Sequence, residues 1–185
     1  HYDALAGKVL PGSLIVAGTP AEIATVIQGF KPECTISEIL SQLNEQAEKA
    51  PQVLVTDLLS LTQELRYQGL KLCVMTNDAV RVAHGHLTSV GALGFFDHVI
   101  GSDSGYGAKP DPAPLLALAA KIDVPAAACL MVGDSTHDLI AGNAAGMRTV
   151  AVLTGLAVRE DLEDLADLVL PCLLYTSDAA DDLFR

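Results

Sequence analysis

A chain of 185 residues, half of them hydrophobic, has enough apolar side chains for one cored domain with a small insert, which excludes global disorder. Its formal charge of −12 argues against a nucleic-acid backbone or an anionic membrane surface as partner, so any bound phosphate needs a local cation. No apolar run reaches the roughly 18 residues of a membrane span, and no signal peptide is visible.

The chain opens His1-Tyr2-Asp3, without an initiator methionine. Its first 55 residues read as helices. Thr19 to Phe30 begins with a Thr cap, a Pro at the first helical position and Glu22 in capping-box register, and Gly29 is expected to close it. Thr35 to Ala50 sets Ile36, Ile39, Leu40, Leu43 and Ala47 on one face, and Pro51 stops it. From Thr56 the pattern changes to alternating helix and strand. Thr56-Asp57 caps a helix ended by Gly69, and Leu70 to Met75 is an apolar run of strand length. A helix follows from Ala79 to Val90, then a short strand ending at Ile100. The Gly/Pro-rich loop GSDSGYGAKPDP leads into a helix begun by Asp111-Pro112. Ala128 to Val132 reads as a strand, Thr136 to Ala145 as a helix, and Arg148 to Leu153 and Leu168 to Leu170 as further strands.

Strands apolar throughout are buried on both faces, and helices between them make parallel crossovers. The expected fold is therefore α/β: an open, Rossmann-like parallel sheet with helices on both sides. Cys34, Cys73, Cys129 and Cys172 form no CxxC pair, so free thiols in a reducing, cytoplasmic compartment are expected.

Sites in such sheets lie beyond the carboxyl ends of the strands. Those ends deliver Thr76-Asn77-Asp78, then Gly101-Ser102-Asp103 with the loop carrying Lys109, then Gly133-Asp134, then Thr154-Gly155. A hydroxyl, an ammonium and a carboxylate on one rim suit a phosphoryl group. Thr76 donates, Lys109 neutralises, and Asp134 holds a hard cation such as Mg²⁺. Each has a plainer role as well. Thr76 or Asp78 serves equally as a helix cap, Lys109 as a solvated lysine, and Asp138 as a first-turn acid favoured by the helix dipole. His137 is expected to face away from Asp134, and His84 and His86 receive no role.

In order, an apolar strand with TND, then KPDP, then an apolar strand with GDSxxD resemble motifs two, three and four of the haloacid dehalogenase (HAD) superfamily. The resemblance spans roughly Thr56 to Pro171 and is greatest to the phosphoglycolate-phosphatase-like branch. It implies a HAD core over residues 56–171 and a remnant of a helical cap over residues 1–55. It also implies a phosphatase acting on a small phosphorylated metabolite through an aspartyl-phosphate. Thr76 and Asn77 would bind the phosphoryl group, Lys109 would steady nucleophile and charge, and Asp134 and Asp138 would ligate Mg²⁺ or orient its shell.

One motif departs from the family. An apolar strand followed by D-x-D-G-T, which would carry the nucleophile and the general acid/base, is nowhere in this sequence. The stretch Cys172 to Asp182 resembles an in-frame translation of a transposase-type sequencing adaptor. Residues 172–185 are therefore expected to be an extraneous tail, and both termini accidents of a short DNA read. On that expectation the polypeptide lacks useful activity, and the sheet has a gap with exposed strand edges where the absent strand would lie. A phosphomutase or dehalogenase on the same scaffold, or a non-catalytic binding module, are the competing readings. The GDSxxD acid pair speaks against a metal-free dehalogenase.

Overall fold

In a computed structural model of the protein, the described residues are 13–173 together with the backbone of two short strands near the start. Those strands, β1 (Tyr2–Asp3) and β2 (Lys8–Val9), pair antiparallel with each other. The adaptor-like stretch lies, from residue 174 onward, outside the described residues.

Local chemistry sets the helical first third. Ser13, almost fully buried, accepts a hydrogen bond from the Ile15 N–H and starts a single-turn helix, α1 (Leu14–Ala17). Thr19 and Glu22 close a reciprocal capping box on α2 (Pro20–Phe30), and Thr35 and Glu38 do the same for α3 (Ile36–Lys49). Gly29 does not end α2: the helix runs on to Phe30, and the Lys31 N–H donates back to the Gln28 and Ile27 carbonyls. A glycine inside a final turn weakens a helix without breaking it.

The α/β segment follows as α4 (Leu58–Tyr67), β3 (Cys73–Met75), α5 (Val80–Ser89), β4 (His98–Ile100), α6 (Ala113–Lys121), β5 (Leu130–Gly133), α7 (Thr136–Ala144), β6 (Arg148–Val152), α8 (Arg159–Leu162) and β7 (Leu168–Leu170). Asp57 caps α4 by accepting from the Ser60 N–H. The fold class is the expected one, and it differs in detail. The strand read from Leu70 shrinks to Cys73–Met75, because the Asp97 carboxylate takes the Leu72 N–H while the Asp97 N–H takes the Leu72 carbonyl. The short turn α8 carries no sequence signal long enough to register.

All pairings in this segment are parallel, but they form two separate sheets, β3-β4 and β5-β6-β7. The Thr76 N–H donates to the Ile100 carbonyl. Backbone groups alternate sides along a strand, so those of Cys73 and Met75 face away from β4. On β5 the Cys129 carbonyl accepts from the Arg148 N–H, so Leu130 and Val132 face away from β6. Every residue of β5 is partly exposed, whereas four of the five in β6 are buried. Among the described residues β3 and β5 share no ladder.

A common apolar cluster still joins the two sheets. Met75 and Ile100 from β3-β4 pack with Leu115 and Leu118 of α6 and Ala141 of α7, and Met131 of β5 leans on the same group. Gly142 lets α7 sit close to the sheet, since a Cβ there would lie 2.8 Å from both Met131 Cβ and Thr149 Cγ2. The α2/α3 hairpin docks on α5. The His86 ring nitrogen meets the Ala47 carbonyl at 2.9 Å, and Arg81 lies 3.8 Å from Glu48. No helix among the described residues is long and apolar enough to cross a membrane. All four cysteines are free thiols.

Candidate active site

The carboxyl ends of β3 and β5 open into a single cavity of about 580 Å³. Thr76, Asn77, Lys109, Asp134 and Asp138 all line it. The strand-end rule thus brings together every residue that the sequence put forward for the site.

Lys109 stands at the centre. Its ammonium donates to the Met75 carbonyl at 2.9 Å and to Asp138 Oδ1 at 2.6 Å. It therefore ties the free edge of β3 to the start of α7, across the break between the sheets. Both charges are withdrawn from water: the side chains are 12% and 7% exposed. Lys109 is held from behind by Asn77. The Asn77 amide donates to the Lys109 carbonyl and accepts from the Lys109 N–H, each at 2.9 Å. Asn77 thus acts on the backbone of Lys109 and fixes where that side chain starts.

Asp138 is bound up twice over. Its other oxygen accepts from the Ser135 N–H at 3.1 Å and the Ser135 hydroxyl at 2.7 Å, while its own N–H donates to the Ser135 oxygen at 3.3 Å. This capping box starts α7. Gly133 makes room for it: a Cβ there would come within 2.5 Å of Asp138 Cγ. Ser135 was not singled out from the sequence, although its Ser-x-x-Asp spacing is a capping signature.

Asp134 differs from Asp138. It is exposed to the cavity, and its carboxyl packs against Gly155, where a Cβ would lie 2.7 Å from Asp134 Cγ. Loss of surrounding water raises its pKa, and the Asp138 charge adds to this. A backbone hydrogen bond and Lys109 oppose the rise without cancelling it. An acid whose charge is disfavoured in the fold penalises stability once pH has risen through the ordinary value of 3.8 and the raised one. Asp134→Asn is therefore expected to raise stability at neutral pH, with the gain disappearing below pH 3.8, as urea titrations across pH would read.

Thr76 accepts from the Asp78 N–H through its hydroxyl oxygen at 3.1 Å, which leaves the hydroxyl hydrogen for an acceptor in the cavity. Neither Thr76 nor Asp78 caps α5. The cap comes from Asp103, 23 residues away, which accepts from the Val80 N–H at 2.9 Å. Such a long-range cap leaves no local trace in sequence. His137 borders the cavity, and the Glu22 carboxyl is held below its usual range mainly by hydrogen bonds from Thr19, with burial opposing them and nearby His137 a minor aid. His86 pins α3 to α5, and His84 has no part in the cavity.

A family model described as haloacid dehalogenase-like hydrolase matches residues 18–152. The chain belongs to the haloacid dehalogenase-like hydrolases. Among curated relatives, a phosphoglycolate phosphatase from Psychrobacter arcticus is 35% identical over 103 residues, which is 56% of this chain and 45% of the relative. A pyrophosphatase PpaX from Bacillus mycoides is 38% identical over 101 residues, 55% of this chain and 47% of that protein. The chain thus spans about half the length of the curated relatives it matches. A crystal structure of a hydrolase from Pseudomonas syringae superposes with a TM-score of 0.66 at 24% identity, covering 80% of this chain and 68% of that one. That likeness bears on the fold alone. It agrees with the parallel α/β architecture described above for this haloacid dehalogenase-like chain.

Proposed function

We propose that this chain carries the phosphate-gripping part of a phosphoric monoester hydrolase, one that acts on a small phosphorylated metabolite through an aspartyl-phosphate. The observation that carries the reading is the convergence of Thr76, Lys109 and Asp134 on one cavity at the ends of two parallel strands. Thr76 would donate to a phosphoryl oxygen, and the Lys109 ammonium would neutralise charge developing on the group. Asn77 would set the reach of Lys109 by clamping its backbone. None of the four aspartates on the cavity wall, Asp78, Asp134, Asp138 and Asp161, follows an apolar strand in D-x-D-G-T form, so none is assigned as nucleophile.

The donors fit a magnesium ion in part. Asp134 is a cavity-facing carboxylate with its charge incompletely compensated, as a hard cation prefers. Asp138 would orient the surroundings of the ion, since Lys109 and Ser135 already occupy its oxygens. Among the described residues no three His, Cys, Asp or Glu side chains converge as a metal cluster; with both Asp138 oxygens engaged, Asp134 is assigned as the direct ligand. Magnesium binds readily through one or two carboxylates and a substrate phosphate. When bound, such an ion supplies charge neutralisation next to the phosphoryl oxygens. Residues 1–55 would serve as a cap over the cavity, which α1 and α2 border through Ile15, Val16 and Ile23.

Calorimetric titration with inorganic phosphate tests the grip directly. Binding should strengthen with Mg²⁺, and Asp134→Asn should abolish that dependence. Thr76→Val should weaken binding about tenfold, as loss of a hydrogen bond to a charged group does. Phosphate binding equal in all three proteins would reject the assignment.

A further inference from the structure

The lining of the cavity combines two chemistries. One part of it is the polar groups just described. Another is apolar and comes from two parts of the chain: Ile15 and Val16 of α1, and Leu156 after β6. These side chains are 67%, 43% and 59% exposed. Large apolar groups left in solvent on the lining of a polar pocket are available to cover something apolar that enters it.

Charge on the same walls points the same way. The lining carries four carboxylates and, among the described residues, one ammonium. That ammonium, Lys109, is already paired with Asp138. The other basic side chain, His137, stands within electrostatic reach of Glu22. A divalent cation at Asp134 would be spent on the phosphate itself. No unengaged cation among the described lining residues is left for a second anionic group, and a carboxylate brought into the cavity would be desolvated beside like charges.

From this division we infer that the site takes phosphate monoesters of small, uncharged, mainly apolar alcohols and discriminates against esters with a second anionic group, such as phosphoglycolate. The inference rests on the phosphate-binding reading above. Ile15, Val16 and Leu156 would be the residues that hold the alcohol.

The test is calorimetry on the 185-residue chain with Mg²⁺, using three probes: inorganic phosphate, n-butyl phosphate and phosphoglycolate. Butyl phosphate should bind about tenfold more tightly than phosphoglycolate, the gain expected from partial burial of a few methylenes plus the absent charge penalty. Leu156→Arg, at an exposed position that places a cation on the wall, should reverse the order. Leu156→Ala should weaken butyl phosphate alone. Phosphoglycolate binding as tightly as butyl phosphate, or tighter, would overturn the inference while leaving the phosphate grip intact. Failure of all three probes, inorganic phosphate included, would remove the grip and the inference together.

Discussion

Lys109→Met is expected to cost about 3–5 kcal/mol of folding stability, the loss typical of breaking a buried ion pair from one side. The size follows from what remains behind. Asp138 keeps its place by its Ser135 hydrogen bonds but loses the charge opposite it, in a site where the two side chains are 7% and 12% exposed. The Met75 carbonyl loses its donor as well. The double variant Lys109→Met with Asp138→Asn should recover a substantial part of the loss, because the amide oxygen still accepts from Ser135 and carries no charge. Urea unfolding of both variants would measure this. A single variant within about 0.5 kcal/mol of the parent, the range of ordinary surface substitutions, would show that the pair does not brace the fold.

The second large effect concerns turnover. On the reading proposed above, the 185-residue chain should show no appreciable Mg²⁺-dependent hydrolysis of p-nitrophenyl phosphate, since its sequence has no apolar strand followed by D-x-D-G-T. Supplying an apolar strand that ends in Asp-x-Asp, fused through a flexible linker ahead of residue 1, should raise the rate by roughly 10³-fold or more. Among the described residues neither β3 nor β5 has a ladder partner on its second side. The outward backbone groups of Cys73 and Met75 on β3, and of Leu130 and Val132 on β5, belong to parallel strands whose ends meet the same cavity. The control replaces the first added Asp by Asn. Equal rates with Asp and Asn, or turnover by the chain without any fusion, would defeat the assignment.

How far the sequence alone reveals this arrangement depends on the range of each interaction. Helix caps within three residues were readable: Thr19 with Glu22, Thr35 with Glu38, and Asp57 ahead of α4. So was the placing of Thr76, Lys109 and Asp134 on one rim, because strand direction dictates it once the strands are found. Contacts between distant segments were not readable. Asp103 capping α5, Asp97 cutting β3 short at Leu72 and Asn77 clamping Lys109 each join residues 23 to 32 positions apart. The two roles of the acid pair were half readable. Spacing alone puts Asp134 and Asp138 near each other, but only the structure separates the carboxylate that meets the cavity from the one that braces Lys109.

The seating of α3 on α5 has a mechanical consequence. The His86 and Arg81 contacts fasten the hairpin to a helix that begins four residues after Thr76. A swing of the hairpin to admit a ligand would therefore pull on the same lever that aims the threonine hydroxyl. On the phosphate-binding reading proposed above, opening the entrance and loosening the hold on phosphate would then be one motion.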